Sequence, residues 1–314
     1  MNILITGGLG YIGTHTIYEL LEHNHNLIII DRENKFNQSF KNTKIYLGSI
    51  EDEKIIDQIF NENKIDAILH LAGYKYVAES VDEPEKYYKN NVDNMMLFMK
   101  HISKYDCRNI VFASSYTVYG SQNKLLEETD KLHPLSPYAD TKVKGEEMLK
   151  DFSNKGFNVI VLRYANLIGN KYDYQFIDRK YPPITNFIIN KAINKEKLNI
   201  YNTNNTTKDN SCLRDFVYIQ DIAKANRLAL ENVSKYKYEI FNVGSGISTS
   251  IKELINYIST SLDIPIDYTQ FPAREGEVFS VCARIDKIIK SLNYRPNTNI
   301  SSIIDDITKK DKQN

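Results

Sequence analysis

The 314-residue chain has no tryptophan, only three cysteines and no excess of charge of either sign. Its 40 basic and 40 acidic residues give a formal net charge of zero, which argues against nucleic acid or an anionic membrane as the main partner. No apolar run approaches the ~18 residues that would cross a bilayer. The length is sufficient for one large domain, or for one large and one small lobe.

The three cysteines, Cys107, Cys212 and Cys282, are far apart and do not form a metal-binding spacing, so no metal site is expected. An odd number of cysteines is unusual in secreted domains that rely on disulfides. The N-terminal segment "MNILITGG" also lacks the basic stretch that opens a signal peptide. We therefore expect a protein of the reducing cytoplasm.

Short apolar runs alternate with helical patterns through the first half of the chain. The runs are mostly unalternating and bounded by polar residues, as in strands buried on both faces of a parallel sheet. They cover residues 2–6, 26–31, 44–47, 66–71, 109–114 and 158–163. The helical patterns lie near residues 11–23, 52–60, 83–104 and 136–154. This alternation predicts an α/β fold with a doubly wound parallel sheet of the Rossmann type.

The pattern changes after residue 164, where loops lengthen and the predicted elements become shorter and mixed. We predict a Rossmann domain over residues 1–164 and a smaller, mixed α/β substrate lobe over residues 165–314. Residues 219–248 include the apolar run "YEIFNVG" and are expected to return in part to the Rossmann sheet.

A glycine-rich turn, "ITGGLGYIG", follows the first predicted strand and opens the first predicted helix. Gly7, Gly10 and Gly13 permit a tight turn and a close approach of the backbone to a pyrophosphate. The N–H groups at the start of the helix would then bind the phosphate oxygens. An ordinary strand-to-helix turn is the alternative interpretation.

An acidic residue ends the second predicted strand in the place where a dinucleotide fold binds ribose. Asp31 lies 18 residues beyond Gly13, and its carboxylate would accept hydrogen bonds from the ribose hydroxyls of NAD. The same carboxylate disfavours NADP because it would face a 2′-phosphate. Arg32 is a counter-argument, since arginine can bind that phosphate. We expect NAD.

A tyrosine precedes a lysine by four residues in "SPYADTK", at the start of a predicted helix. Tyr138 and Lys142 would project from one helical face. An ammonium about 4 Å from a phenolate contributes ~4 kcal/mol at an effective dielectric near 20, which lowers the phenol pKa by about three units. Tyr138 would then be a base near pH 7, with Ser115 and Thr117 as nearby hydroxyls. The alternative is a surface helix without chemistry.

Seven stretches spread over nearly the whole chain form a familiar set: "TGGLGYIG", "HLAGYKYVAESVDEPEKYYKNNV", "ASSYTVYG", "SPYADTK", "LRYANLIG", "LRDFVYIQD" and "AREGE". In these stretches the chain resembles the extended short-chain dehydrogenase/reductases, and within them the UDP-glucose 4-epimerases. The 4,6-dehydratases of that family carry an Asp-Glu pair where this chain has Tyr116 and Thr117. Elimination of water is therefore not expected.

The resemblance implies a UDP-hexose 4-epimerase with tightly bound NAD. Tyr138 would take the proton of the sugar 4-hydroxyl while C4 passes hydride to NAD, Ser115 would hydrogen-bond the oxygen, and Lys142 would tune Tyr138. The 4-keto sugar would turn and take the hydride back on its other face. The helices near 83–104 and 136–154 would form a homodimer. The alternatives are a reductase, a decarboxylase or an epimerase of another nucleotide sugar, or a non-catalytic NAD-binding protein.

The resemblance also assigns binding residues one by one. Cofactor contacts fall on Gly7, Gly10, Tyr11, Ile12, Gly13, Asp31, Ser49, Ile50, Leu71, Ala72, Gly73, Lys75, Asn90, Tyr138, Lys142 and Ala165. Substrate contacts fall on Lys75, Ser115, Thr117, Tyr138, Asn166, Tyr201, Arg214, Arg274, Glu277 and Val281. In this set Arg214 and Arg274 would clamp the diphosphate with their forked guanidinium groups, and Tyr201 would lie beside the uracil.

Several positions depart from the epimerase pattern. Ser49 stands where an aspartate usually meets the adenine amine, Ala165 replaces a phenylalanine beside the nicotinamide, and Glu277 replaces an aspartate. The segment "YPPITNFI" replaces an Asn-Asn-Leu substrate loop. These departures leave the chemistry intact and the identity of the sugar open.

The size of one residue bears on that identity. In epimerases confined to plain hexoses, a tyrosine a few residues after the "REG" stretch fills the space beside the sugar C2 substituent. Counting from Arg274, that place falls on Val281, with Cys282 next to it, and both are small. We expect N-acetylated UDP-hexoses to fit, unless the altered loop refills the space.

Overall fold

The computed structural model describes residues 1–33, 42–122, 124–169, 182–273 and 278–311, and these ranges contain short strands and longer helices. The strands are β1 (Asn2–Thr6), β2 (Asn26–Asp31), β3 (Thr43–Leu47), β4 (Ala67–His70), β5 (Asn109–Ser115), β6 (Asn158–Tyr164), β7 (Asn166–Ile168), β8 (Leu198–Tyr201), β9 (Leu213–Tyr218), β10 (Tyr238–Val243), β11 (Ser248–Ser250), β12 (Tyr268–Phe271) and β13 (Ser280–Val281). The helices are α1 (Tyr11–Glu22), α2 (Glu53–Glu62), α3 (Val77–Asp82), α4 (Pro84–Tyr88), α5 (Asn94–Ile102), α6 (Pro137–Asn154), α7 (Ile184–Ile193), α8 (Ile219–Asn232), α9 (Ile251–Leu262), α10 (Asp286–Leu292) and α11 (Ile300–Asp311). A π-helix spans Lys89–Asp93, and 3-10 helices span Tyr116–Tyr119 and Val233–Lys235.

The largest sheet has seven parallel strands in the order β10-β6-β5-β4-β1-β2-β3. The predicted doubly wound parallel sheet is therefore confirmed, and the six predicted strands differ from the observed ones by at most one residue at either end. The chain order reverses between β1 and β4, which leaves a crevice at the carboxyl edge of the sheet. Ligands of open α/β sheets bind in such a crevice.

The apolar residues of the strands alternate between two cores, one on each face of the sheet. Ile3 and Ile5 of β1 belong to the core that also contains buried residues of α1 and α8. Leu4 of the same strand belongs to the other core, with buried residues of α2, α5 and α6. Burial on both faces explains why these strands are continuous apolar runs in the sequence.

The stretch near 83–104, predicted as one long helix, is divided into α4, the π-helix and α5. Asn90 and Asn91 lie in the π-helix, and asparagine favours bonds to nearby backbone over a regular helix. The buried amide of Asn91 both donates to the Tyr74 carbonyl, at 3.0 Å, and accepts from the Tyr74 N–H, at 2.8 Å. This tertiary contact accounts for the irregularity, because π-turns accommodate one extra residue per turn.

The chain beyond β6 adds a mixed arrangement of strands. Strand β9 pairs with β7 and β13 in parallel and with β11 in antiparallel fashion, while β12 pairs with β8. Strand β10 runs beside β6 in the large sheet over Tyr238–Val243. In the described ranges, none of the helices is both long and apolar enough to cross a membrane.

The turn between β1 and α1 is tight enough to require glycine. Gly7 has φ +68°, and a Cβ there would lie 2.8 Å from the backbone of Ala72. A Cβ on Gly13 would lie 2.3 Å from the carbonyl oxygen of Gly8, well inside van der Waals contact. The first turn of α1 therefore packs directly against the loop that precedes it.

We predict that Gly13→Ala destabilises the protein by about 1–3 kcal/mol, since the added methyl group must push α1 away from the turn. Urea unfolding followed by circular dichroism measures the loss. Gly10→Ala is the matched control, because Gly10 has φ −82° and its Cβ would lie 3.5 Å from the nearest atom. Equal stability of the two variants would contradict the packing argument.

Candidate active site

Tyr138 and Lys142 are placed by the start of α6. The Ser136 side chain caps the helix by accepting from the Ala139 N–H at 3.2 Å, and Pro137 occupies the first turn. Tyr138 therefore lies in the first turn and Lys142 one turn later. Both side chains are buried, at 9% and 7% exposure.

Ser115, the predicted hydroxyl donor, lies beside Tyr138, the predicted base. Ser115 ends β5, and its hydroxyl lies close enough to the Tyr138 phenol to lower the pKa of that phenol. The Ser115 oxygen also accepts from the Thr117 N–H at 3.2 Å and from the Thr117 hydroxyl at 3.0 Å. Ser115 accepts in both bonds, so its own hydroxyl hydrogen is available to the phenol oxygen. That arrangement favours the phenolate, because a donor stabilises the charged form.

The predicted lowering of the Tyr138 pKa by Lys142 is wrong for the protein without cofactor. Burial raises the pKa of Tyr138 from 10 to about 12, and the nearby Ser115 hydroxyl opposes this rise without cancelling it. The ammonium of Lys142 lies 5.9 Å from the centre of the Tyr138 ring and donates to the Ala113 carbonyl at 2.8 Å. Desolvation of the phenolate thus outweighs the neighbouring charge that spacing alone suggested.

Burial acts on Lys142 in the opposite direction. It lowers the pKa of the ammonium from 10.5 to about 8, while Glu146, one turn further along α6, raises it. Lys142 lies close to Gly73, whose added Cβ would be 3.8 Å from the ammonium nitrogen. The lysine therefore connects α6 with the segment that follows β4.

The glycine turn and Asp31 form the other half of the crevice. Gly10 caps α1 without a side-chain hydrogen bond, so the N–H groups of the first turn are available to an anion. Asp31, at the end of β2, accepts from the Leu9 N–H at 2.9 Å and from the Glu33 N–H at 3.3 Å. The carboxylate is thereby held beside the turn, as a ribose contact requires. These residues fit a dinucleotide.

Arg32, which the sequence offers as an argument for NADP, hydrogen-bonds two of the predicted cofactor residues. Arg32 donates to the Ser49 hydroxyl and to the Tyr74 hydroxyl, both at 3.2 Å, and to the Asn90 side chain. Ser49 in turn donates to the Glu51 carboxylate. Arg32 thus connects the ends of β2 and β3 with the π-helix across the crevice.

The residues after β4 line the point where the strand order reverses. Leu71 and Ala72 donate their N–H groups to the Thr6 carbonyl and hydroxyl, at 3.0 and 3.3 Å. Ala72 also faces Gly7 across the crevice. Lys75 extends from the same segment, with its ammonium 5.2 Å from the centre of the Tyr76 ring.

Two buried polar residues beside the site were missed by sequence reasoning. Asn91 donates to the Thr141 hydroxyl at 3.2 Å and would contact a Cβ on Gly73. His70 bonds the Thr6 hydroxyl at 2.8 Å, and burial lowers the pKa of its imidazole to about 3, with Lys142 acting in the same direction. No local sequence pattern marks either residue, and only the folded structure shows that they lie beside the site.

A cavity of about 580 Å³ brings together three of the predicted substrate residues: Asn166 of β7, Tyr201 of β8 and Arg214 of β9. Lys191 and Lys197 also line it, so the cavity combines an aromatic ring with several cationic groups. This composition suits a nucleoside diphosphate, whose base can stack and whose phosphates can pair with cations.

The remaining predicted residues are less central or lie outside the described part. Val281 is buried and pairs with Arg214 in the register of β13 against β9. Tyr11 and Ala165 are buried, and the Tyr11 hydroxyl donates to the Gly169 carbonyl. Ile12 and Ile50 lie in the first turn of α1 and just after β3. The described residues do not include Arg274 and Glu277.

The chain is similar in sequence and in structure to known proteins. It matches the model of the NAD dependent epimerase/dehydratase family over residues 3–244. The UDP-glucose 4-epimerase of Halalkalibacterium halodurans is 32% identical over 303 residues, which cover 94% of this chain and 91% of that protein. The solved UDP-glucose-4-epimerase of Stenotrophomonas maltophila, with bound NAD and formylated UDP-arabinopyranose, superposes with a TM-score of 0.91 at 25% identity, covering 100% and 98% of the two chains. The epimerase of Thermotoga maritima with UDP-glucose gives a TM-score of 0.87 at 28% identity, covering 100% and 99%. The chain therefore belongs to the NAD dependent epimerase/dehydratase family.

Proposed function

We propose that the protein is a UDP-hexose 4-epimerase that works with bound NAD. The observation that carries the proposal is the buried pair of Tyr138 and Lys142, one helical turn apart at the carboxyl edge of the parallel sheet, with Ser115 beside the phenol. The relatives described above, which include epimerases with NAD or UDP-sugars bound, support it. Buried Tyr116 and the Ser115-bonded Thr117 take the places of the dehydratase acids, which argues against loss of water.

We assign the cofactor to residues 1–164 and most of the substrate to residues 165–314, with part of 219–248 returning to the large sheet. The turn from Gly7 to Gly13 and the start of α1 would hold the pyrophosphate, and Asp31 would hold the adenosine ribose. When bound, NAD supplies a hydride acceptor that returns the hydride within the cycle and a positive charge that favours the phenolate.

The side chains of α6 and β5 perform the proton chemistry in this proposal. Tyr138 takes the proton of the sugar 4-hydroxyl and gives it back after the sugar has turned. Ser115 hydrogen-bonds the same oxygen while it is a carbonyl. Lys142 stabilises the phenolate by its charge. A pKa of about 12 for the phenol means that the protein without cofactor keeps Tyr138 protonated at neutral pH.

The substrate is anchored at its nucleotide end so that the sugar can turn. Arg214 and Arg274 would pair with the diphosphate, and Tyr201 would stack on the uracil. Asn166 would contact the diphosphate or the sugar, and Lys75 would lie near the nicotinamide ribose. An anchor on the base and phosphates leaves the hexose as the one part that can present either face.

The identity of the hexose depends on the space beside its C2 substituent. Val281 pairs with Arg214, and β13 also contacts the 3-10 helix that carries Thr117. By the resemblance, Val281 would stand beside this substituent, and a valine would leave room there that a tyrosine would fill. We therefore propose that UDP-GlcNAc and UDP-GalNAc are interconverted as well as UDP-glucose and UDP-galactose.

We predict that Tyr138→Phe lowers kcat at least ~100-fold with the fold intact, because the phenyl ring cannot take the proton. Conversion of UDP-glucose to UDP-galactose is followed by proton NMR, and folding by circular dichroism. Tyr236→Phe is the control for a general effect of losing one hydroxyl. A Tyr138→Phe rate above about a tenth of the wild-type rate would remove Tyr138 from the role of base.

We predict that Val281→Tyr reduces kcat/KM for UDP-GlcNAc far more than for UDP-glucose, because only the N-acetyl group needs the space. Both sugars are assayed with the wild type and the variant by NMR. Rejection of UDP-GlcNAc by the wild type would refute the proposal. Acceptance that survives the tyrosine would place the size limit elsewhere.

Two properties outside the site are also proposed. The free state of Cys107, Cys212 and Cys282 is consistent with the reducing cytoplasm. A homodimer through α5 and α6 is consistent with exposed Leu97 of α5, which is 46% accessible.

Light scattering at micromolar concentration should give twice the chain mass of 36.4 kDa. Leu97→Glu should shift the mass toward that of one chain, because it places a charge in the apolar contact. Lys54→Glu, which lies on α2 and is exposed, tests whether a new charge outside the proposed contact has this effect. A wild-type mass of one chain would contradict the homodimer.

A further inference from the structure

A buried ion pair includes a residue one helical turn after Lys142 on α6. Glu146 of α6 and Arg163 of β6 are 3% and 2% exposed, and they meet through two parallel hydrogen bonds of 3.0 and 2.6 Å. The Ser114 hydroxyl donates to the same carboxylate at 2.5 Å. Glu146 therefore connects α6, which carries Tyr138, with β5, which carries Ser115.

The guanidinium of Arg163 is fixed by further partners. It donates to the Tyr119 hydroxyl at 2.8 Å and to the Glu128 carbonyl at 3.1 Å, and Tyr119 donates to Asn242 of β10 at 2.6 Å. Buried ion pairs contribute little net stability, because removing two charges from water offsets most of their attraction. Because the free energy spent on burying these charges is not recovered as stability, the network is better explained by the residues that it holds in position.

Lys142 is the group that needs such support. Its ammonium is buried and donates a hydrogen bond to the Ala113 carbonyl, and burial disfavours its charge. Tyr138 on α6 and His70 on β4 face it, and the imidazole is neutral because burial lowers its pKa to about 3. Within the described part of the chain, Glu146 is the anion that acts on Lys142, and Arg163 lies beyond it on β6.

We propose that Glu146 is a positioning residue that serves as the counter-ion of Lys142, with Arg163 and Ser114 fixing its carboxylate. The proposal rests on the proposed function, in which the charge of Lys142 stabilises the Tyr138 phenolate. Residues four apart on a helix lie on one face, about 5–6 Å apart at their Cβ atoms, so the carboxylate acts on the lysine without touching the substrate.

The first test is the pH dependence of the holoenzyme carrying Glu146→Gln. Loss of the carboxylate lowers the pKa of Lys142, so kcat should begin to fall at a pH lower by about one unit or more. The same loss raises the pKa of Tyr138, so the acid limb should move to higher pH. The bell-shaped plot of kcat against pH therefore narrows from both sides. KM stays within about twofold, because Glu146 is buried behind Lys142.

Glu147→Gln is the matched control, since Glu147 is the next residue of α6 and is exposed. Its profile should follow that of the wild type. Glu146→Asp keeps the charge and should restore most of the width of the profile. A Glu146→Gln profile that coincides with the wild type would overturn the proposal, as would a rise in KM without a change in the profile.

The second test does not depend on the sugar reaction. Tyrosinate absorbance of the holoenzyme, taken as the difference between the wild type and Tyr138→Phe, reports the ionisation of Tyr138. This difference should titrate below pH 9 in the wild type and at higher pH in Glu146→Gln. If the wild type converts no UDP-sugar, the proposed function fails and this titration still decides the role of Glu146. The absence of a shift, or of any titration below pH 9, would overturn it.

A third variant covers the case in which Glu146→Gln does not fold because Arg163 is left unpaired. The double substitution of Glu146→Gln with Arg163→Gln removes both charges and leaves amides that can still hydrogen-bond. The double variant should still narrow the pH profile of kcat, but by less than Glu146→Gln, because Lys142 loses its nearest anion together with the more distant cation of Arg163. A profile like that of the wild type would show that the pair serves packing alone.

Discussion

The charge of the buried Lys142 ammonium is the interaction on which the proposed reaction centre depends. Burial lowers the pKa of Lys142 to about 8 and raises that of Tyr138 to about 12, so both shifts oppose a charged lysine beside a phenolate. The same low dielectric strengthens every favourable contact that is made there. The Ser115 hydroxyl beside Tyr138 and the Glu146 carboxylate near Lys142 act in this way, and each opposes the effect of burial on the pKa of its neighbour.

The fold supplies these contacts from separate parts of the chain. Parallel strands end at one edge, so the glycine turn after β1, the segment after β4 and Ser115 of β5 meet at the point where strand order reverses. Helix α6 then crosses that edge with Tyr138 and Lys142 in its first two turns. The mixed strands beyond β6 add Arg214 and Tyr201 in a cavity. The proposed oxidation site and the proposed anchor for a nucleotide are thereby combined in one protein.

Local patterns predicted much of this arrangement. The strands follow from apolar runs, and the turn, Asp31 and the Tyr138–Lys142 spacing follow from short-range geometry. The division of residues 83–104 by a π-helix depends on the tertiary bonds of Asn91, and the pairing of Glu146 with Arg163 joins residues 17 positions apart. The direction of the Tyr138 pKa shift depends on burial, which spacing does not reveal. Long-range pairing and desolvation are therefore the parts that sequence patterns left out.

The central claim is that hydride leaves the sugar and returns to the same carbon within one active site, with Tyr138 moving the proton. UDP-glucose carrying deuterium at C4 of the hexose, incubated with the holoenzyme in ordinary water, tests it most directly. The account predicts UDP-galactose that retains the deuterium at C4, measured by NMR and mass spectrometry, because hydride held on NAD does not exchange with water. Loss of the label to solvent, or formation of reduced nicotinamide in proportion to product, would contradict the account.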